Sequence, residues 1–221
     1  MPEREAFEPG CVRCPRLAAH LGEVRRMYPA YHARPVAPFG AADPRLLIVG
    51  LAPGMHGANA TGRPFTGDYA GILLYETLHK FGFSNRPVSQ HRDDGLQLLG
   101  CRITNAVKCL PPANKPIPAE ITQCNSFLEA ELRSLRPDAA ILALGTIAHQ
   151  AVLRALSLRP GDYRFSHGAE HALPDGRRLF DSYHCSRYNT QTRRLTEVMF
   201  HGVFARIVDY SGALSASQRP R

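Results

Sequence analysis

Four cysteines and one glycine-rich loop hold the residues best suited to chemistry in this chain. Cys11 and Cys14 form a C-x-x-C pair, and Cys109 and Cys124 follow far downstream. The C-x-x-C separation lets two thiolates grip one centre. Cys109 and Cys124 would close the shell if the fold carries the N-terminal pair beside them. Four thiolates suit a tetrahedral zinc or a [4Fe–4S] cluster, and spacing alone does not choose between them. The ordinary alternative is an incidental C-x-x-C with two buried core thiols. The remaining two, Cys101 and Cys185, stand in strand-like or loop contexts. Six cysteines with no apolar signal core before them argue against a disulfide framework.

The loop runs from Gly50 to Gly71. Its opening, Gly50-Leu51-Ala52-Pro53-Gly54, lets backbone approach a ligand closely and offer free N–H groups to it. Neither GxGxxG nor GxxxxGK[ST] occurs in it, which argues against those two nucleotide-binding loops. Inside it lie Phe65 and Asp68, with His56, Asn59 and Arg63 adding polar reach. Asp68 precedes a helical pattern and is well placed as an N-cap. Three more polar residues stand out downstream. Asn105 lies near a strand end, Asn114 lies in the proline-rich segment 110–116, and His184 opens a loop that carries Arg187, Tyr188, Asn189, Gln191, Arg193 and Arg194. Each has an ordinary alternative: a core anchor for Phe65, turn residues for the asparagines, a surface or core histidine for His184, and a solvated basic loop for 184–194.

The elements that must position these residues are legible as periodic segments. The apolar run 46–49 predicts a buried parallel strand, and a helix over about 70–82 carries Leu74, Leu78 and Phe81 on one face. Residues 101–108 predict a second strand. Pro118 starts a helix through Ile121, Cys124, Phe127, Leu128 and Leu132, stopped before Pro137. A third strand at 139–144 leads into a helix at 147–156, and a fourth strand at 179–183 leads into the His184 loop. A last helix carries Leu195, Met199, Val203 and Ile207, and another follows Cys14 through Leu17, Leu21 and Val24. The stretches 29–45 and 160–178 predict an irregular connection and a polar hairpin-like segment. Strands alternating with helices argue for a three-layer α/β/α sandwich around a central four-stranded, mostly parallel sheet. In such sheets ligands bind at the carboxyl ends of the strands. Every polar cluster named above follows a strand, so all can meet on one edge.

The chain has 221 residues, one domain's worth, expected to span 1–210 with a disordered tail at 211–221. No apolar run approaches a membrane span, so no membrane partner and a cytoplasmic place are expected. Lys and Arg number 27 against 19 acidic residues, and arginine supplies nearly all of the excess. A net charge of +8 is compatible with a solubility preference or with a polyanionic partner such as nucleic acid.

Read together, GLAPGMHGAN (50–59) and TGRPFTGDYAG (61–71) resemble the first motif of the type B, or family 5, uracil-DNA glycosylases, which belong to the iron–sulfur branch of the uracil-DNA glycosylase superfamily. TNAVKCLPP (104–112) and the loop opening at His184 resemble further motifs of the same family, so the likeness runs from residue 11 to about 196. It implies a monofunctional DNA-repair enzyme. The enzyme would flip uracil, and other deaminated bases such as hypoxanthine or xanthine, out of double-stranded DNA and hydrolyse the N-glycosidic bond. It implies Cys11, Cys14, Cys109 and Cys124 as ligands of a structural [4Fe–4S] cluster. It implies Gly50, Leu51, Ala52, Pro53 and Gly54 as a substrate-binding segment, Phe65 as the ring that stacks on the base, Asn105 as the amide that reads the uracil edge, and Asn114 as a further polar residue of the catalytic set. His184 would donate to the base carbonyl. Leu51 and Ala52 leave the usual polar position of the first motif without a carboxylate or amide, the mark of family 5. Asp68 is then implied as the residue that activates water or supports a cationic sugar. The segment with Arg187, Tyr188, Asn189 and Gln191 would enter the minor groove. A monomer working at the nucleoid is expected. Two departures bear on DNA grip: Cys185 replaces the usual proline after the histidine, and Ala60 stands where arginine is common. An iron–sulfur DNA-binding module without turnover, and a zinc-stabilised protein with a small ligand, are the competing readings.

Overall fold

The computed structural model describes residues 7–217, with side chains through 212. Four five-residue strands form the middle of one sheet: β2 (Leu46–Gly50), β3 (Cys101–Asn105), β4 (Ala140–Leu144) and β6 (Arg178–Ser182). They run parallel in the order β3-β2-β4-β6. This is the predicted four-stranded core. Two short antiparallel strands extend it: β1 (Phe39–Gly40) beside β3 and β5 (Glu170–Ala172) beside β6. The sheet therefore has six strands rather than four. β1 comes from the stretch expected as an irregular connection and β5 from the one expected as hairpin-like; two or three residues are too few to show alternation.

Both faces of the sheet are covered, which is why its two innermost strands, β2 and β4, are apolar and buried at every position. Leu46, Ile48, Ile103, Leu142 and Phe180 point to one side. There they meet Leu74 and Leu78 of α3 (Tyr69–Lys80) and Phe200, Phe204 and Ile207 of α7 (Glu197–Ser217). Leu47, Val49, Ile141, Ala143 and Leu179 point to the other side. There they meet Leu128 and Leu132 of α4 (Pro118–Arg133) and Ala148 and Val152 of α5 (Thr146–Ala155). The strand period of two thus builds the three layers. β2 hands the chain to α3 on one face, and its neighbour β4 hands it to α5 on the other. Adjacent strands whose exits diverge open a crevice at their carboxyl ends.

α1 (Pro15–Met27) docks separately through Leu17, Leu21 and Val24 onto Val107, Leu110, Cys124 and Phe127. Arg16 holds it there: its guanidinium donates to both oxygens of Glu120 at 2.7 and 2.8 Å and to the Lys115 carbonyl at 3.1 Å. Two short helical turns lie inside predicted loops, α2 (Ala58–Thr61) and α6 (Arg187–Gln191). α7 continues through Ser217, over the first residues of the segment expected as a tail, and residues 218–221 lie outside the described residues. Among the described residues no helix is long and apolar enough to cross a membrane.

Candidate active site

The crevice at the carboxyl edge is a pocket of about 370 Å³, within the usual range for ligand sites. Its walls include Leu51, Ala52, Pro53 and Gly54 after β2, Phe65 and Asp68 before α3, Asn105 at the end of β3, Asn114, His184 after β6, and Arg187. Residues far apart in sequence are brought together because their strands lie side by side and end at the same edge. Ala58, Tyr69, Ala70 and Ser186 also line it and were not singled out from sequence. Tyr69 and Ser186 carried a usable signal, each adjoining or sitting two residues from a candidate.

Backbone packing shapes the back wall. Gly50 lies behind the pocket rather than in it. A Cβ there would overlap Asn105 Oδ1 and come 2.8 Å from the Phe65 ring. Gly71 is as tightly placed, since a Cβ would overlap the Phe65 carbonyl. Phe65 itself has φ 56°, the left-handed region that non-glycine residues seldom occupy. The loop accepts that conformation, and the ring ends nearly parallel to His184, centroids 5.8 Å apart and planes 25° apart.

Asp68 occupies the N-cap position of α3, yet its side chain makes no cap hydrogen bond. The carboxylate turns the other way. Oδ2 accepts from the Ala58 N–H at 3.2 Å, and the carboxyl packs against Gly54 and Gly57, where a Cβ at 57 would overlap it. Burial raises the Asp68 pKa above the ordinary carboxylate value, while the Ala58 N–H and nearby His56 oppose the rise. The capping alternative therefore does not explain how the side chain is placed.

Asn105 is buried, and its Oδ1 has no hydrogen-bond partner. Buried polar atoms nearly always have partners, so an orphan acceptor in a pocket wall is a place for a ligand donor. His184 is half-buried in the pocket wall, and desolvation there lowers its pKa to about 4, so the imidazole is neutral at physiological pH. Asn189 does not face outward. Its Nδ2 donates to the His184 carbonyl at 2.8 Å and so fixes the loop that aims the histidine. Ser186 caps α6 by accepting from the Asn189 N–H. Arg187 lies over the Tyr69 ring at 4.9 Å, Tyr188 is 69% exposed, and Gln191 is exposed. Asn114 stands exposed on the rim with φ 56°.

Cys11, Cys14, Cys109 and Cys124 line one cavity at the foot of α1, with Leu17, Pro35 and Phe127 around them. The Lys108 N–H donates to Cys124 Sγ at 3.3 Å. Burial, and then the neighbouring thiols, push Cys14 up to about 11 and Cys109 up to about 12. Four soft sulfurs around one cavity, Cys109 and Cys124 buried and Cys11 and Cys14 half-buried, suit a cationic centre that would hold them as thiolates. The four thiols share one cavity, and their donor set fits either a tetrahedral zinc or a [4Fe–4S] cluster. Cys101 and Cys185 are buried in the main core, apart from this group.

Comparison with known proteins agrees with this geometry. The profile of the Uracil DNA glycosylase superfamily matches residues 37–207. A type-5 uracil-DNA glycosylase of Thermus thermophilus is 48% identical over 206 residues, covering 90% of this chain and 94% of that protein. One from Pyrobaculum aerophilum is 42% identical, covering 92% and 90%, and one from Mycobacterium leprae is 46% identical, covering 92% and 93%.

Proposed function

The chain belongs to the uracil DNA glycosylase superfamily, among its type-5 enzymes, and from that premise we propose how this pocket excises a base. As a uracil-DNA glycosylase it removes uracil from DNA in repair. Its partner is double-stranded DNA, met by a monomer at the nucleoid, and the target nucleotide swings out of the stack into the crevice. Asn105 reads it. The amide presents Oδ1 to the base N3–H and Nδ2 to O4, a pairing that cytosine, with the donor and acceptor exchanged, does not match. The orphan Oδ1 is the observation that carries this reading. Hypoxanthine and xanthine also present a ring N–H beside a carbonyl, so both fit the same amide. No acid or amide stands at Leu51 or Ala52 to restrict the site further.

Phe65 supplies a flat apolar surface for the base, held by the glycines around it. As the C1′–N1 bond lengthens, negative charge gathers on the base, and the neutral His184 donates its N–H to O2. Such donation in a dry pocket is a large source of rate. Positive charge gathers on the sugar, and the Asp68 carboxylate stabilises it. Water then bonds to C1′ as the C1′–N1 bond breaks, and the proton it loses passes to Asp68 and on to the departing uracil anion, leaving an abasic site, free uracil and the Asp68 carboxylate restored. Arg187, Tyr188 and Gln191 face the DNA, and Asn114 guards the rim. Cys11, Cys14, Cys109 and Cys124 hold a [4Fe–4S] cluster, which fastens the N-terminal segment to the loop after β3.

A duplex carrying one uracil opposite guanine tests this reading. Incubation followed by alkali should break the strand at uracil, and Asp68→Ala in a folded, iron-bearing protein should abolish the break. Scission that survives the substitution would return Asp68 to a structural role.

A further inference from the structure

We propose that His149, His171 and Asp181 form a second metal site, one that takes a zinc-class divalent cation and braces the sheet edge leading to His184. The three come from three elements, α5, β5 and β6, and their donor atoms lie within 4.8 Å of one another. Asp181 is fully buried, His149 nearly so, and His171 is part-exposed. Each carboxylate oxygen faces a different imidazole: Oδ1 lies 2.8 Å from His149 Nδ1, and Oδ2 lies 3.1 Å from His171 Nε2.

Hydrogen accounting at His149 points to a cation between these groups. Its Nε2 lies 2.9 Å from the Tyr163 carbonyl, which can only accept, so Nε2 carries the hydrogen. Nδ1 then aims its lone pair at a carboxylate oxygen, unless a second proton or a metal lies between them. The donors converge as a metal's ligands do: a tetrahedral centre with bonds of about 2.0–2.2 Å holds its ligands about 3.3–3.6 Å apart, so the imidazoles would move out from Asp181 by a few tenths of an ångström to seat it. A metal-bound histidine also characteristically donates its other N–H to a backbone carbonyl, as this one does to Tyr163. Two imidazoles and a carboxylate favour zinc over magnesium or calcium, while the all-thiolate cavity at the foot of α1 offers softer donors.

The position gives the site its use. The Asp181 N–H donates to the Ala169 carbonyl and its own carbonyl accepts from the Gly168 N–H, so the carboxylate sits where the β5–β6 edge is sewn together. His184 follows three residues later. A cation here ties α5 to that edge and steadies the strand from which the pocket histidine leaves. It takes no part in bond cleavage, and its failure would leave the glycosylase reading intact.

The test uses the whole protein with its iron content measured in each preparation. Supplied with one equivalent of zinc at neutral pH, the wild type should retain about one zinc per chain, and His171→Ala should retain little at unchanged iron. Zinc at about a hundredfold over its Kd should raise the thermal midpoint of the wild type by about 5–10 °C and leave His171→Ala unmoved. Should His171→Ala fail to fold, X-ray absorption at the zinc edge of the wild type decides. Nitrogen and oxygen donors near 2.0–2.1 Å support the site, and sulfur near 2.3 Å places the zinc among the cysteines and overturns it. Failure of the wild type to retain zinc would assign a proton, rather than a metal, to the gap between His149 and Asp181.

Discussion

At the scale of the residue, Asp68 sits where activity and stability pull apart. Its carboxylate caps nothing in α3, so removing it forfeits no cap hydrogen bond. Burial raises its pKa, which means that the fold disfavours the ionised form. That penalty is fully present above the raised pKa and is relieved as pH falls through it. Asp68→Asn should therefore match or exceed the wild-type thermal midpoint at pH 7–8, with the advantage shrinking toward acid, while single-turnover excision falls by about 10²–10⁴. Calorimetry and quenched uracil cleavage on the same samples check both halves. The rate profile of the wild type should lose activity on the acid side through Asp68. It should show no inflection near pH 6.5, because His184 stays neutral down to about 4. Gly57→Ala should mimic the Asp68 variant, since its methyl group would displace the carboxyl, and uracil cleavage by the folded variant measures this. Sequence motifs singled out Asp68, Asn105, Phe65 and His184, which the fold gathers around one pocket. They did not disclose that Gly50, Gly57 and Gly71 press on them, because close approach is a property of the folded loop. Nor did they single out His149, which reaches Asp181 across 32 positions only through the packing of α5 on β6.

At the scale of the element, α1 has two fastenings, the cysteine cavity and the Arg16–Glu120 pair. Glu120 also accepts from the Ile117 N–H at 2.9 Å, so one carboxylate closes the start of α4 and anchors α1. Serine at any of Cys11, Cys14, Cys109 or Cys124 should strip iron from the protein, whereas serine at Cys101 or Cys185 should leave iron content unchanged. Glu120→Gln should keep its iron at rest and lose it several-fold faster to a chelator, followed by the decay of visible absorbance. The long elements were legible because four central strands and their helices repeat a period over enough residues to read. β1, β5, α2 and α6 were not, for the opposite reasons. β1 and β5 exist through pairing with β3 and β6, and α2 and α6 are single turns set by Gly57 and Ser186 rather than by an apolar stripe.

At the scale of the whole molecule, the net charge of +8 and the exposed arginines beside the pocket make DNA binding a salt-dependent step. Arg187→Ala should weaken binding to uracil-containing and normal duplexes alike. It should also flatten the plot of log affinity against log salt by about 0.9, the share of one phosphate contact, measured by fluorescence anisotropy of labelled DNA. The three-layer frame and the gathering of the site on one edge followed from strands alternating with helices and from polar clusters that each follow a strand, both readable in the sequence. The direction of side chains within that edge did not. The near-parallel rings of Phe65 and His184 have a consequence of their own. They come from the loops after β2 and β6, two strands separated by β4, so their stacking is a gauge of whether the two sides of the crevice stand closed. In a magnetic field the circulating electrons of the phenyl ring shield what lies above its face. The imidazole carbon-bound protons of His184 should therefore resonate upfield of those of an exposed histidine, and a base that parts the rings should send them back. The protein thus carries, without any added label, a proton signal for the arrival of the flipped base.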